Sequence, residues 1–318
     1  MAMTSTSAVP AKPPSRALGV FAWTVVGYNI LVILWGAVVR TTGSGAGCGA
    51  AWPLCNGDFF PHHPRLATII EFAHRSMSGV CTFLVLALAV WTFKATRRGD
   101  RTRRAVMASV FFLVTEALLG AALVLGGYVE HNTSTARVVM QSIHFTNTLM
   151  LLGAIGLTAW WLSSGAPGKR ATRSDKTLIW PAWTALAATL VVGATGAVAA
   201  LADTLFPSPS LQAALAADFA ASAPLLVRMR WVHPAAAAVS LCCVLWLVMR
   251  VRSTLGRVVA GLLGLQLFLG LVDVVLLAPT WMQILHLLVA DLYWIALVAL
   301  AAELIWPESN RMQATLCQ

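Results

Sequence analysis

Eight long apolar stretches constrain this chain more than any other feature of its sequence. A helix needs roughly 20 mostly apolar residues to cross the hydrocarbon core of a bilayer, and eight segments reach that length: residues 18–39, 66–93, 105–126, 138–162, 178–201, 229–249, 255–277 and 281–306. Only 11% of the residues are charged, against about 25% in a soluble domain. The sequence therefore predicts an all-α integral membrane protein with eight transmembrane helices surrounded by membrane lipid.

The net charge of +10 is concentrated on alternate connections between these segments. Of the 22 basic residues, 16 lie in the two tails and in three connections: Lys12, Arg16, Lys94, Arg97, Arg98, Arg101, Arg103, Arg104, Lys169, Arg170, Arg173, Lys176, Arg250, Arg252, Arg257 and Arg311. Because cytoplasmic loops carry an excess of Lys and Arg, this pattern predicts cytoplasmic N and C termini. It indicates membrane topology rather than nucleic-acid binding, and it requires the first apolar stretch to be a helix and not a cleaved signal peptide.

The remaining connections are then expected to face outward: residues 40–65, 127–137, 202–228 and 278–280. The first of these outer loops is rich in glycine and holds Cys48 and Cys55 seven residues apart, followed by His62 and His63. Outside the cytoplasm a disulfide between the two cysteines would persist. A zinc site built from the four side chains is the alternative, although the spacing matches no common zinc pattern.

Four short motifs recur in the same order in the two halves of the chain. The pairs are "LWGAVV" with "VVGATG" (Leu34–Val39, Val191–Gly196), "EFAHR" with "RWVHP" (Glu71–Arg75, Arg230–Pro234), "EALLG" with "QLFLG" (Glu116–Gly120, Gln266–Gly270) and "MQSIH" with "MQILH" (Met140–His144, Met282–His286). They predict two pseudo-symmetric four-helix bundles, residues 18–162 and 178–306. Cytoplasmic segments 1–17, 163–177 and 307–318 would flank and join them.

Four of the seven histidines lie inside the predicted helices at positions related by this repeat: His74, His144, His233 and His286. A rise of about 1.5 Å per residue places all four in the outer half of the membrane, one pair in each bundle. Ionisable side chains are costly there and are usually functional. Two imidazoles on facing helices of a bundle are suited to hold a heme iron, whereas zinc would require further ligands at that depth.

The six basic residues outside the cytoplasmic regions flank the outer ends of the helices: Arg40, Arg65, Arg75, Arg137, Arg228 and Arg230. Arginine binds carboxylates through paired hydrogen bonds, so the propionates of a heme are the expected partners. We assign Arg40, Arg75 and Arg137 to the ligand of the first bundle, and Arg228 and Arg230 to that of the second. Snorkelling of these side chains to the interface is the alternative.

The two halves differ beside the histidines. Glu71 stands three residues before His74 and therefore on the same helical face, whereas Arg230 takes the equivalent place before His233. A membrane carboxylate can move protons or stabilise a cation, so the difference predicts chemistry in the first bundle and a permanently bound redox cofactor in the second. An ion pair of Glu71 with Arg75 is the alternative. Other acids within the helices receive no specific role: Glu116, Asp273 and Asp291.

The motif "GAVVRTTGSGAGC" (Gly36–Cys48), continued by "WPLCNG" (Trp52–Gly57) and "IIEFAHR" (Ile69–Arg75), resembles the bacterial heme A synthase family. The likeness extends over eight helices, two bundles and four histidines. It implies conversion of heme O to heme A for cytochrome oxidase, in which the methyl group at ring position 8 is oxidised through a hydroxymethyl intermediate to a formyl group. The location implied is the bacterial plasma membrane.

The resemblance also implies a role for each matching residue. These roles are ligation of the substrate heme O by His74 and His144, ligation of a heme b cofactor by His233 and His286, a catalytic acid at Glu71 and a disulfide between Cys48 and Cys55. Heme O synthase is the partner that would supply the substrate, and a homo-oligomer is compatible with the pattern. No residue pattern names the electron donor or acceptor.

Two other functions fit part of the pattern. A bis-histidine diheme cytochrome b, which only passes electrons, agrees with the helix count and the histidine pairs, but it does not account for Glu71 in one bundle alone. A transporter with an internal repeat favours helices broken near the middle of the membrane. Here the polar residues lie near the outer surface, on helices predicted to be continuous.

Overall fold

The fold is helical throughout the part of the chain that the computed structural model describes, residues 15–163 and 176–306. The α-helices are α1 (Arg16–Thr41), α2 (Leu66–Ala95), α3 (Arg101–Leu125), α4 (Thr135–Ser163), α5 (Ile179–Leu205), α6 (Leu211–Phe219), α7 (Leu225–Arg228), α8 (Val232–Val251), α9 (Thr254–Val275) and α10 (Thr280–Ile305). A short 3₁₀ turn, Lys176–Leu178, precedes α5. The predicted tails and linker lie mostly outside the described residues, which exclude 1–14, 164–175 and 307–318.

Eight segments among the described residues are long and apolar enough to cross a membrane. They are α1 to α4, α5 with its preceding turn, α7 together with α8, α9 and α10. Large apolar side chains face outward from them; Phe83, Phe111 and Leu271 are 75%, 61% and 65% exposed. An apolar surface of this kind suits contact with lipid. The prediction of an all-α membrane protein with eight transmembrane helices is therefore confirmed.

The helices extend into the basic connections. The predicted spans 66–93 and 105–126 leave residues 94–104, with six basic side chains, as one loop, and this prediction is wrong. Lys94 lies in the last turn of α2, and α3 begins at Arg101, so that only the segment 96–100 connects the two helices. The cause is a cap, because the Asp100 side chain accepts a hydrogen bond from Thr102 N–H at 2.8 Å. An N-cap acid satisfies an amide of the first turn and starts the helix there.

The predicted outer loop 202–228 and the span predicted to follow it at 229 also need correction. Helix α5 continues to Leu205, and the segment after it contains α6 and α7. The chain then breaks at residues 229–231 before α8 begins at Val232. Pro234 lies in the first turn of α8, the one place where proline, which lacks an N–H, is tolerated in a helix. The helix therefore starts immediately before it.

The transmembrane helices form two closed rings of four. In the first bundle α1 contacts α2 and α4, and α3 contacts the same two helices; in the second, α5 and α9 each contact α8 and α10. A polar pair recurs at the same place in each ring. Asn29 Nδ2 lies 3.5 Å from Cys81 Sγ, and Thr189 Oγ1 lies 3.3 Å from Ser240 Oγ. Cys81 and Ser240 follow His74 and His233, respectively, by the same seven residues, so the bundles are pseudo-symmetric.

The bundles pack on each other through α1 and α4 of the first and α5 and α10 of the second. Trp294 Nε1 on α10 donates a hydrogen bond to Leu149 O on α4 at 2.6 Å. A Cβ added at Gly153 would lie 2.9 Å from the same Nε1 atom, and one at Gly156 would lie 3.3 Å from a methyl group of Ile295. Small residues allow membrane helices to approach closely, so these two glycines set the spacing between the bundles.

Gly153→Leu should separate the bundles and lower the melting temperature of the purified protein in detergent. Overpacking a tight contact costs about 1–3 kcal/mol, and each kcal/mol corresponds to about 2–4 °C in a large domain. Thermal unfolding followed by circular dichroism measures the change. Gly261→Leu on α9 is the matched control, because a Cβ at Gly261 has no neighbour within 4 Å. Equal melting temperatures for the two variants would show that Gly153 does not hold the interface.

Candidate functional site

Each of the four predicted histidines packs against a glycine on the transmembrane helix that precedes it. An added Cβ would lie 3.1, 3.0, 3.0 and 3.9 Å from the imidazole Cε1 in the pairs Gly36–His74, Gly196–His233, Gly270–His286 and Gly120–His144, respectively. The three shortest distances are closer than side-chain carbons normally come to a neighbour. Glycine therefore lets each imidazole sit against the backbone of the adjacent helix.

These contacts correct the register of one motif pair. The sequence motifs align Gly36 with Gly193, whereas the structure places Gly36 against His74 and Gly196 against His233. The repeat in the first helix of each bundle is therefore offset from the predicted alignment by three residues. "VVGATG" holds two glycines, and only their distance from a histidine in space distinguishes them.

His74 and His144 lie on α2 and α4 of the first bundle, and His233 and His286 lie on α8 and α10 of the second. The Nδ1 atoms of His74, His144 and His286 are buried and have no hydrogen-bond partner among the described residues. Buried polar atoms are normally satisfied, so these rings are suited to a ligand held between the helices.

His233 differs from the other three because its Nδ1 lies 3.1 Å from the carbonyl oxygen of Val192. A hydrogen bond from Nδ1–H to a backbone carbonyl fixes the ring orientation and leaves Nε2 as the basic nitrogen. This is the arrangement that a metal-ligating histidine needs. Bonding at Nδ1 and the glycine contact make His233 fit a heme iron. In His286 the contact is at Nε2, 3.0 Å from Gln266 Nε2, and the buried Nδ1 is the nitrogen without a partner among the described residues.

Glu71 connects helix α2 to the first loop. The carboxylate is 3% exposed, and its Oε2 accepts a hydrogen bond from Cys48 N–H at 2.7 Å. Its Oε1 accepts from Nε and Nη2 of Arg75, and Arg75 Nη1 donates to the carbonyl oxygens of Ala51 and Leu54 at 2.7 and 2.9 Å. The ion pair considered from the sequence is therefore present, and it is part of a clamp on the loop.

Cys48 and Cys55 are joined by a disulfide bond, so their sulfurs cannot act as the thiolates of a zinc site. Both residues are buried. The loop is also fastened by Thr68 Oγ1, which donates to Gly47 O at 2.7 Å, and Gly45 lies against Val129 of the connection between α3 and α4. The loop thus covers the end of the first bundle, the end at which its two histidines lie.

The equivalent position in the second bundle holds a reversed charge arrangement. Arg230 donates to Asp203 Oδ1 at 3.0 Å and to Asp218 Oδ1 at 2.8 Å, and its Nη2 donates to Ala214 O at 3.1 Å. These contacts attach helix α6 to the bundle. Neither aspartate was singled out from the sequence. They lie 27 and 12 residues before Arg230, and no motif relates them.

Two further arginines assigned from the sequence have protein partners as well. Arg40 Nη1 donates to Ala200 O and Thr204 Oγ1, each at 2.6 Å, and its Nη2 donates to Gln283 Oε1 at 2.7 Å. Arg40 therefore ties the first bundle to α5 and α10 of the second. Arg137 is buried and donates to the carbonyl oxygens of the α3–α4 connection, and Arg228 is exposed. Binding of propionates by these arginines stays a prediction.

A second carboxylate of the first bundle lies beside a histidine. Glu116 Oε2 is 3.6 Å from His144 Nδ1, accepts from Asn147 Nδ2 at 2.7 Å, and Glu116 Oε1 accepts from Thr148 Oγ1. The sequence contains a signal that would have found it, because Glu116 precedes Gly120 by one helical turn and so shares its face. Gly120 is the residue that packs on His144.

The second bundle has no such carboxylate. Gln266 stands at the position equivalent to Glu116, one turn before Gly270, and its Nε2 lies 3.0 Å from His286 Nε2. The residues three and four positions after His286 are Val289 and Ala290, where the first bundle has the Asn and Thr that bind Glu116. An acid held by hydrogen bonds beside a histidine is therefore specific to the first bundle.

The chain resembles known proteins over nearly all of its length. It is 43% identical over 307 residues to a protein of Thermus thermophilus named protoheme IX farnesyltransferase, a match that covers 94% of this chain and 50% of that protein. It is 50% identical over 98 residues to the heme A synthase of Bacillus licheniformis, and 41% identical over 112 residues to that of Geobacillus kaustophilus. These two matches cover 31% and 35% of this chain, and 32% and 35% of the relatives.

The chain thus spans about half the length of the Thermus relative. The local matches cover about a third of each of the two heme A synthases. The match to a family is broader. Residues 19–67 and 64–298 match the model of a family described as cytochrome oxidase assembly protein. These residues include all four histidines, their glycines, the disulfide loop and Glu71. The chain belongs to the cytochrome oxidase assembly protein family.

Proposed function

We propose that the protein is a heme A synthase, which oxidises the methyl group at ring position 8 of heme O to a formyl group. The first bundle binds heme O between His74 and His144, and the second holds a heme b cofactor between His233 and His286. The names of the Bacillus and Geobacillus relatives support the activity. The observation that carries it is the duplicated histidine–glycine site with an acid in one copy only.

The residues of the second bundle fit a resident heme. His233 has Nδ1 at a backbone carbonyl, Gly196 and Gly270 leave room for the rings, and Arg230 is fixed nearby by two aspartates. One-electron transfer is the chemistry that a heme b held there supplies. Gln266 places an amide beside His286, where the first bundle has the acid Glu116. This bundle is therefore suited to hold a cofactor that gains and loses electrons but is not chemically altered.

The first bundle is suited to chemistry on the substrate. Conversion of a methyl to a formyl group through a hydroxymethyl stage removes four electrons and introduces one oxygen atom. Glu71, one helical turn from His74, can hold a proton or stabilise positive charge next to the bound porphyrin. The loop closed by Cys48–Cys55 and bound to Glu71 excludes bulk water from that end of the bundle. Arg40, Arg75 and Arg137 are the cations assigned to its propionates.

We infer that the protein lies in the bacterial plasma membrane with the disulfide loop facing outward. Among the described residues, most of the basic ones lie at the end of the bundles opposite this loop, including those of the α2–α3 connection and the adjacent helix ends. Positive residues favour the cytoplasmic side, and disulfides persist outside the cytoplasm. The likeness to half of a Thermus protein named protoheme IX farnesyltransferase favours heme O synthase as the partner that supplies the substrate.

The function is tested by extracting hemes from membranes of cells that produce this chain together with heme O synthase. Chromatography should show heme A, and the purified protein should retain heme b. His286→Ala should lose heme b, because one of its axial ligands is removed, whereas His74→Ala should retain heme b and form no heme A. Two permanently bound hemes b with no heme A in the wild-type extract would instead identify an electron-transfer cytochrome.

Glu71→Gln should abolish heme A formation while heme b stays bound. The amide can still accept the bond from Cys48 N–H but cannot hold a proton or a charge, so the loop keeps its anchor. The double variant Cys48→Ser/Cys55→Ser is the control for loop anchoring, since it retains the carboxylate. Heme A yield per bound heme b is the measurement. An equal loss of heme A yield in both variants would show that Glu71 only anchors the loop. Full activity of Glu71→Gln would show that Glu71 has no part in the mechanism.

Gly36→Val should weaken heme binding in the first bundle, and Gly196→Val in the second, because the added carbons meet the imidazole Cε1. Overpacking of about 1–3 kcal/mol corresponds to a loss of about 5–150-fold in affinity. Heme titration followed by absorbance measures it. Gly27→Val on the same helix α1 is the control, because a Cβ there has no neighbour within 4 Å. Unchanged heme affinity in Gly36→Val would show that the contact of Gly36 with His74 is not needed for heme binding.

A further inference from the structure

We propose that Glu116 is a positioning residue for His144. Its carboxylate accepts a hydrogen bond from His144 Nδ1–H and so aims Nε2 at the iron of the substrate heme. The inference rests on the proposed function, in which the first bundle holds heme O between His74 and His144. It assigns to the membrane acid of α3 a role that distinguishes the two heme sites. Glu116 acts through the imidazole and does not touch the reacting methyl group.

The geometry supports this role because both partners are nearly in place. His144 Nδ1 is buried and has no hydrogen-bond partner among the described residues, and the nearest acceptor recorded for it is Glu116 Oε2 at 3.6 Å. That separation is slightly longer than a hydrogen bond. Contacts in a functional site often tighten when the ligand binds. A small rotation of the imidazole would close the gap.

The carboxylate is the fixed member of the pair. Asn147 Nδ2 donates to Glu116 Oε2 at 2.7 Å and also to Phe112 O at 2.9 Å, while Thr148 Oγ1 donates to Glu116 Oε1. Thr115 Oγ1 in turn donates to Asn147 Oδ1 at 2.7 Å. Since two side chains hold the acid in one orientation and Thr115 fixes one of them, the histidine is the group that must turn toward it. A ligand that is pre-oriented in this way binds iron with less loss of entropy.

A carboxylate at Nδ1–H makes an imidazole a more basic and more electron-donating ligand. A negative charge nearby also favours the higher oxidation state of the iron. Both effects lower the reduction potential of the heme in the first bundle. The second bundle lacks them, because Gln266 is neutral and its Nε2 lies 3.0 Å from Nε2 of His286, not from Nδ1. Glu116 and Gln266, at equivalent positions of the repeat, therefore shift the potentials of the two hemes apart.

The repeat provides a matched experiment on the purified full chain that carries heme b in its second bundle. Heme O is titrated in without oxygen, and binding and the reduction potential of each heme are measured by absorbance and by redox titration. Glu116→Gln should weaken heme O binding about tenfold. It should also shift the oxidised-to-reduced ratio of this heme about tenfold toward the reduced form, which is about 59 mV for one electron. The heme b potential should stay unchanged.

The reciprocal variant Gln266→Glu should lower the potential of heme b and leave that of heme O unchanged. A role of Glu116 in packing alone could weaken binding but would not move the potential, so an unmoved potential in Glu116→Gln overturns the proposal. Should Glu116→Gln fail to fold, the double variant Glu116→Gln/Asn147→Val, which copies the pair Gln266 and Val289 of the second bundle, decides, and an unmoved heme O potential overturns the proposal. A wild-type chain that makes no heme A would refute the proposed function, while the potential shifts would still establish the role of Glu116.

Discussion

The contact of each imidazole with a glycine backbone is the constraint on which the arrangement of both bundles depends. Within a bilayer, helices associate through close packing and hydrogen bonds rather than through the hydrophobic effect. A Cβ at Gly36, Gly196 or Gly270 would stand about 3 Å from an imidazole carbon, so a larger residue would push apart the two helices that must present the histidine. The same contact therefore sets the helix spacing and turns the ring toward the interior.

The two bundles share this glycine–histidine packing, but the polar groups beside their histidines differ. The first has a carboxylate on each side of its histidine pair, Glu71 bound to Cys48 N–H and Glu116 beside His144. At the equivalent positions the second has Arg230, bound to two aspartates, and the neutral Gln266. Burying a charge is costly unless it is paired or hydrogen-bonded, and all three charged groups have such partners. The asymmetry is therefore built into each bundle and is not a by-product of imperfect repetition.

The spans, the repeat and the four histidines could be predicted from the sequence, because each is a local pattern of apolar length or motif order. The partners of the arginines could not. Arg40 reaches Gln283 and Arg75 reaches Ala51, contacts between residues that have no periodic relation. Helix ends were also misplaced where a cap, such as Asp100, starts a helix inside a basic stretch. Hydropathy reports where a helix is buried in lipid, and not where its hydrogen bonds begin.

The first loop shows how such non-local contacts change the meaning of a motif. Its cysteines are not a metal site, and the disulfide between them holds the amide of Cys48 at the place where Glu71 accepts its hydrogen bond. Arg75 binds the other oxygen of the same carboxylate and two loop carbonyls. Both oxygens of Glu71 are thus engaged by groups whose positions depend on the loop. Loop, disulfide and carboxylate form one unit, so the state of the disulfide and the environment of the acid in the first bundle cannot change independently.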